Sequence, residues 1–152
     1  MINKKLYYVT IMAYWLLVTT EDNWIVLKKN NVWGVTSKDK NILQKMKIGE
    51  KCIIYIKQKL VVVAIYEVES KMFRDTIRIF NPIHTNDNEV FPFRLKFKPI
   101  IIFKEQILFR PLVNQLSFIK NKRMWGSHLL GRAIREIPEN DFKYISSNVN
   151  IK

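Results

Sequence analysis

Two apolar runs rich in β-branched side chains, separated by a two-residue turn, constrain this chain most. They are Lys51–Lys57, with Cys52-Ile53-Ile54-Tyr55-Ile56 inside it, and Leu60–Glu67, on either side of Gln58-Lys59. Branched and aromatic side chains fit a pleated surface, so both runs are expected as strands. Tyr14–Thr19 reads as another buried strand. Phe93-Arg94-Leu95-Lys96-Phe97-Lys98 alternates, which predicts a strand with Phe93, Leu95 and Phe97 on one face and three cations on the other. Pro99 ends or bulges that strand, and Ile100–Phe103 continues it. Val68–Phe80 is expected as further extended structure, alternating over Thr76–Phe80, until Asn81-Pro82 breaks it and His84–Asn88 follows as a polar loop.

Between these runs the helix signals are short. Thr20-Glu21-Asp22 is a helix N-terminus with acids in its first turn, which predicts a helix from about Glu21 to Lys29 with Trp24, Leu27 and Ile25 in its buried stripe. Asn30-Asn31 ends it. Ser37 is placed to cap a second helix over Asp39–Met46, with Ile42 and Leu43 inward. Arg110-Pro111 opens a short helix through Leu116, and Pro138 suits the first residue of a final helix through about Ser146. Ser117–Gly131 carries no period and is expected as a structured loop, with Arg132–Ile137 short and extended. No repeat, linker or low-complexity stretch divides the 152 residues. These features predict one α+β domain, a mostly antiparallel barrel-like sheet with short helices at its periphery.

Charge narrows the partner. Lysine and arginine total 26 against 13 acidic residues, a net +13, which points to a polyanion: nucleic acid first, an anionic membrane second. Arg94, Lys96, Lys98, Lys104, Arg110, Lys120, Lys122, Arg123, Arg132 and Arg135 crowd one part of the sequence, with Glu105 as its only acid. A phosphate-tracking surface and a merely solvated face both fit this clustering. Cys52 stands alone, so no intrachain disulfide framework exists, and a reducing cytoplasm is expected. Asn3-Lys4-Lys5 before the apolar Leu6–Val18 looks like the start of a signal peptide. Thr19-Thr20-Glu21-Asp22 offers no small-residue cleavage site, however, and the run is too short to span a bilayer. No membrane association is expected.

Trp33 lies between Asn30-Asn31 and Gly34, in what reads as the loop after the first helix. An indole on a loop suits stacking against a base, while a core tryptophan would cap the barrel instead. Trp15 and Trp24 read as core. Trp125, between Arg123 and Gly126 and near His128, either stacks on a nucleotide or pins its loop. Catalytic signals are sparse. His84 and His128 are far apart in sequence and have no Cys or carboxylate at metal-ligand spacing, and there is no phosphate loop, dinucleotide fingerprint or nucleophile elbow. Glu67, Glu69 and Asp75 fit a solvated face better than an acid–base pair. No metal and no cofactor are expected.

Tyr14-Trp15-Leu16, Glu21-Asp22-Asn23-Trp24, Val32-Trp33-Gly34-Val35, Lys47-Ile48-Gly49-Glu50-Lys51, Ala64-Ile65-Tyr66-Glu67-Val68, Phe93-Arg94-Leu95-Lys96 and Gly131-Arg132-Ala133, in this order and spacing, resemble the EVE domain. The likeness runs from about Met12 to the C-terminus, above all to small single-domain prokaryotic members. It implies a PUA-like β-barrel with peripheral helices, related to PUA, ASCH and YTH modules, and a pocket for a base, often a modified one. By likeness to YTH modules, Trp33 falls at the first cage tryptophan and Phe97 near the second cage aromatic, where tryptophan is preferred. Asn23 falls at an asparagine that hydrogen-bonds the base, and Thr19 at the strand end lining the pocket. Gly131-Arg132 matches a pair whose cation contacts phosphate. Gly34 departs from the pattern: it stands where YTH modules have a serine, which implies relaxed or different base specificity.

Asn23 and Phe97 keep plainer readings, as a first-turn helix residue and a core residue of an alternating strand. The expected function is a nucleic-acid-binding module, for RNA or DNA, and not an enzyme. In it Thr19, Asn23, Trp33, Gly34, Phe97 and Trp125 serve the base, and Lys122, Arg123 and Arg132 the phosphates. The alternative is an enzyme acting on a nucleotide or modified base in the same pocket, with an Asp or Glu as acid–base group; a weaker one is a protein-interaction module. Trp33→Ala is expected to spare the fold and weaken binding. A monomer is favoured, and residues 1–11 are expected to be a dispensable extension of a domain spanning residues 12–152.

Overall fold

The structure, a computed structural model, describes residues 11–82, 88–129 and 131–148. Strand β1 (Tyr14–Thr19) leads into helix α1 (Glu21–Asn30) and strand β2 (Val32–Val35). A 3-10 turn at Ser37–Asp39 precedes the short helix α2 (Lys40–Lys45). Strands β3 (Lys51–Ile56), β4 (Val61–Val68), β5 (Phe73–Arg74) and β6 (Phe93–Leu108) follow. Two more 3-10 turns, Arg110–Gln115 and Trp125–His128, then strand β7 (Ile134–Ile137) and helix α3 (Glu139–Ser147), complete the described chain.

The strands form one curled sheet in the order β2-β6-β4-β3-β1-β7, with β5 pairing β6 off that path. Every described pairing is antiparallel except β1 with β3, which the α1–β2–α2 excursion connects. The α+β, mostly antiparallel architecture is therefore as expected, but the sheet is a half-barrel and not a closed one.

Successive side chains of a strand face opposite ways, and here both faces are covered. Trp15 and Leu17 of β1 with Cys52, Ile54 and Ile56 of β3 pack against Trp24 and Leu27 of α1 and Leu43 of α2. Leu16, Ile53 and Tyr55 pack on the other side with Phe109, Leu112 and Phe118, and with Phe142 and Ile145 of α3. Strands buried on both sides lose the polar half of the alternation, hence the unbroken apolar runs of β3 and β4. The Cys52 thiol is fully buried, and burial, with the Glu50 charge adding to it, pushes its pKa well up. Pro99 sits at a slip in the β4–β6 register between Ile65 and Tyr66, so β6 bulges there and continues for 16 residues.

Several local expectations are corrected. Of the predicted Val68–Phe80 stretch, Val68 ends β4 and Phe73–Arg74 forms β5; the rest is not strand. Asp75 turns the chain locally, accepting the Ile77 N–H at 2.9 Å, and leaves Ile77 exposed. Ile25 points outward from α1. Ser37 caps nothing: it opens the 3-10 turn, and α2 starts only at Lys40. Arg94 does not join an outward cationic face. It is 1% exposed, donates to the carbonyls of Phe91 and Val90 (3.0 Å each) and Ile77 (2.5 Å), and lies 3.4 Å from Asp75. The loop before β6 folds over that face and turns a surface cation into an internal clamp.

Residues 117–129, aperiodic in sequence, are held by side chains from α3 and β7 and by one of their own. Asp141 of α3 accepts from the Ser117 and Phe118 amides at 2.9 Å each. His128 Nε2 accepts from the Asn121 N–H at 3.1 Å, and Arg135 donates to the His128 carbonyl at 3.0 Å. The predicted extension up to residue 10, and His84 with most of its predicted loop, lie outside the described residues.

Candidate functional site

A cavity of about 510 Å³ opens where the end of β1, strand β2 with its following turn, and the Trp125–Ala133 segment converge. Ligand sites are typically concave spaces of about 300–1,000 Å³ with apolar walls and a few convergent polar groups, and this one falls within that range. Thr19, Trp33, Gly34, Trp125 and Arg132, all singled out from the sequence, line it together.

Each arrives by a different route. Thr19 ends β1, and Thr20 after it caps α1, its side chain accepting the Asn23 N–H at 3.3 Å. Asn31, left-handed at φ 54°, stops α1 and turns the chain straight into β2. Trp33 therefore stands in a strand and not in the expected loop. It is 3% exposed, belongs to the first core as well as lining the cavity, and donates from Nε1 to Thr19 Oγ1 at 3.4 Å. Truncating a tryptophan so placed costs about 3–5 kcal/mol, so Trp33→Ala would not spare the fold. Gly34 pairs Arg94 of β6, and a Cβ there would lie 2.7 Å from the Phe91 carbonyl oxygen. A serine has no room at this position. Trp125 is half-buried, its ring tilted on Phe109 at 5.6 Å, while Arg132 is exposed.

Asn23, Phe97, Lys122 and Arg123 do not line the cavity. The Asn23 amide is committed to the chain after Phe80: Oδ1 accepts the Asn81 N–H at 2.7 Å and Nδ2 donates to the Asn81 carbonyl at 3.1 Å. Phe97 is fully buried in the core. Lys122 Nζ donates to the Val113 and Leu116 carbonyls. Arg123 is exposed.

Other liners carried no sequence signal. Tyr55 lies in an apolar strand, and only the parallel β1–β3 pairing, which sets it against Val18, brings it to the cavity. It is 2% exposed, and burial pushes its phenol up to about 12. Phe91, Lys38 and Lys57 also line the cavity, as does Asp39, the one carboxylate among the described lining residues. Burial raises the Asp39 pKa, with the Lys38 charge and the Ala133 backbone N–H pulling it back. Lys38 itself donates to the Gly131 carbonyl at 2.7 Å. Among the described residues no group of three His, Cys, Asp or Glu side chains is placed to hold a metal, and no helix is long and apolar enough to cross a membrane.

Residues 13–148 match the EVE domain. The chain belongs to the EVE domain family. Two archaeal relatives align along almost their whole length. The UPF0310 protein PH1033 of Pyrococcus horikoshii is 46% identical over 143 residues, 88% of this chain and 97% of that protein. The UPF0310 protein PYRAB08750 of Pyrococcus abyssi is 44% identical over 144 residues, 90% of this chain and 99% of that one. Among solved structures, this EVE domain shares its fold with the YTH domain of Zygosaccharomyces rouxii MRB1 in complex with N6-methyladenosine RNA. The TM-score is 0.65 at 13% identity, covering 93% of this chain and 86% of that one. Human THYN1 in complex with 5-methylcytosine-containing DNA gives 0.63 at 14% identity, covering 92% and 99%.

Proposed function

We propose that this EVE domain captures one base of a nucleic acid, modified bases included, in the cavity lined by Trp33 and Trp125, while exposed cations beside it hold the flanking phosphates. The observation that carries this reading is the convergence of both indoles with Tyr55 and Phe91 on one cavity that also draws Lys38, Lys57 and Arg132. Flat aromatic walls bind a base through its π-face, and cations beside them meet the backbone, which positions the strand without reading its sequence. The shared fold with proteins solved in complex with N6-methyladenosine RNA and with 5-methylcytosine DNA supports the same reading.

The test is titration of short single and double strands, plain and methylated, at several salt concentrations. Trp125→Ala removes a half-buried ring from the cavity and should weaken binding by about 1–3 kcal/mol while the protein stays folded. Arg132→Ala should weaken all sequences alike and flatten the log–log salt slope by about 1. Salt-insensitive binding, or a Trp125→Ala protein with undiminished affinity, would point to a small-molecule or protein ligand.

A second reading rests on Asp39. A carboxylate lining the cavity, its pKa raised by burial, is the group an enzyme acting on a base would use as acid or base. Mass spectrometry of nucleosides before and after incubation separates the two: a changed base marks an enzyme, an unchanged one a reader.

A further inference from the structure

We propose that Asp39 makes the cavity select bases bearing an exocyclic amino group at the pyrimidine C4 or purine C6 position (cytosine, adenine and their singly methylated forms) over bases presenting a carbonyl at that position, with the Tyr55 hydroxyl as a second polar anchor. This rests on the base-capture reading above and gives that site its specificity.

One contact to the Ala133 backbone is the structural task Asp39 has among the described residues. It precedes α2 but makes no side-chain cap, and it forms no ion pair among the described residues. Its neighbour Lys38 is turned to the Gly131 carbonyl. Among the described residues, the Ala133 backbone N–H is the hydrogen-bonding partner that acts on it. An ionised carboxylate accepts about four hydrogen bonds, so most of its capacity is left for whatever enters the cavity. Partial burial raises its pKa by more than the Lys38 charge and the Ala133 N–H lower it.

Tyr55 is an independent observation at the same cavity. The residue is 2% exposed and lines the cavity. Its hydroxyl is not among the sealed, unpaired side-chain atoms of the described residues, which are Tyr66 Oη and Arg135 Nε, so it is open to the cavity. With its pKa pushed up to about 12, the hydroxyl remains a donor at neutral pH, suited to a ring nitrogen or carbonyl of a base. An exocyclic amine donates to the Asp39 carboxylate and satisfies it. A carbonyl in its place sets acceptor against acceptor and leaves the partly buried carboxylate without the ligand's donor. Sites built on such hydrogen bonds reject the wrong partner strongly.

The experiment compares five-nucleotide single strands, RNA and DNA, with fixed flanks. Their centres are cytosine, uracil, adenine, hypoxanthine, 5-methylcytosine, N6-methyladenine or an abasic sugar, and each is titrated into the wild-type chain, Asp39→Asn and Tyr55→Phe. The wild type should favour the amino member of each pair, cytosine over uracil and adenine over hypoxanthine, by about tenfold. Asparagine can keep the Ala133 contact through its oxygen while presenting an N–H to the ligand, so Asp39→Asn should abolish or reverse that preference. Tyr55→Phe should weaken both members of each pair alike. If the wild type binds paired centres equally, or Asp39→Asn keeps the preference, the selectivity inference is overturned and base capture stands. If no centre binds better than the abasic strand, base capture itself fails and the selectivity with it.

Discussion

Gly34→Ala tests the geometry around the cavity most directly. A Cβ added at this position would lie 2.7 Å from the Phe91 carbonyl oxygen, 2.9 Å from Phe80 Cε2 and 3.1 Å from Arg94 Cγ, where ordinary contact begins at 3.4 Å. None of the three is a free side-chain end. Phe91 O is backbone and already accepts from Arg94 Nε at 3.0 Å. Phe80 lies under the Arg94 guanidinium at 5.1 Å and edge-on to Phe91 at 5.9 Å. Arg94 is held by the Ile77 and Val90 carbonyls besides. To admit the methyl, β2 must move off the Phe91 loop by about 0.7 Å, the gap between 2.7 and 3.4 Å. Overpacking of this kind costs about 1–3 kcal/mol. Gly34 is not among the positive-φ residues, so alanine also restricts the unfolded chain, a gain of about 0.4–1 kcal/mol that offsets part of the strain. At the middle of both ranges the net loss is about 1.3 kcal/mol, or a drop in Tm of roughly 3–5 °C for a chain of this size. Gly34→Ser should lose at least as much. Thermal melts and urea titrations of the three proteins measure it, and an alanine variant as stable as the wild type would show that the Phe91 loop yields freely and that the clamp reasoning fails.

Glu50, 2% exposed, accepts from the Ala13 amide at 2.7 Å, the Lys47 amide at 2.7 Å and Trp15 Nε1 at 3.1 Å. Glu50→Gln turns an N–H toward one of these donors, so it should cost about 1–3 kcal/mol; an unchanged urea midpoint would contradict this. Asp39 has a folded-state pKa above its unfolded one, so the unfolded chain ionises first and the residue lowers stability as pH rises through that interval. The penalty is complete above the folded value and absent below about pH 3, beneath the unfolded one. Asp39→Asn should therefore melt above the wild type at pH 7 in the absence of ligand, and the difference should vanish near that lower pH. A wild type that is the more stable at pH 7 would mean the carboxylate is paired.

Local chemistry made some of the site legible. Thr19, Trp33 and Gly34 are close in sequence, and the β1–α1–β2 connection that assembles them is written in an N-cap threonine and an αL asparagine. Trp15 and Trp24 behave as core for the ordinary reason that an indole needs packing on every side. Some of the failures involve partners distant in the chain, others a loop folding back on its own strand. Asn23 looked available because Asn81, which consumes its amide, is 58 residues away. Arg94 looked solvated because alternation describes one strand and is blind to the loop laid over it. Asp39 and Tyr55 looked like a helix-entry residue and a core tyrosine until β1 and β3 paired in parallel beside Ala133.

By itself, then, the order of residues determined the kind of surface each segment presents: apolar runs that must pair and be covered on both sides, short helices with their caps, and an excess of cations. Those outcomes depend on neighbours within a few positions and on the water each side chain avoids or seeks. Which side chains share a cavity, which cations stay free and which become internal clamps were decided only when the sheet curled and the loops closed over it. Hydrogen bonds and exclusion contacts act over a few ångströms in space, and the spacing of residues along a chain carries no measure of that distance.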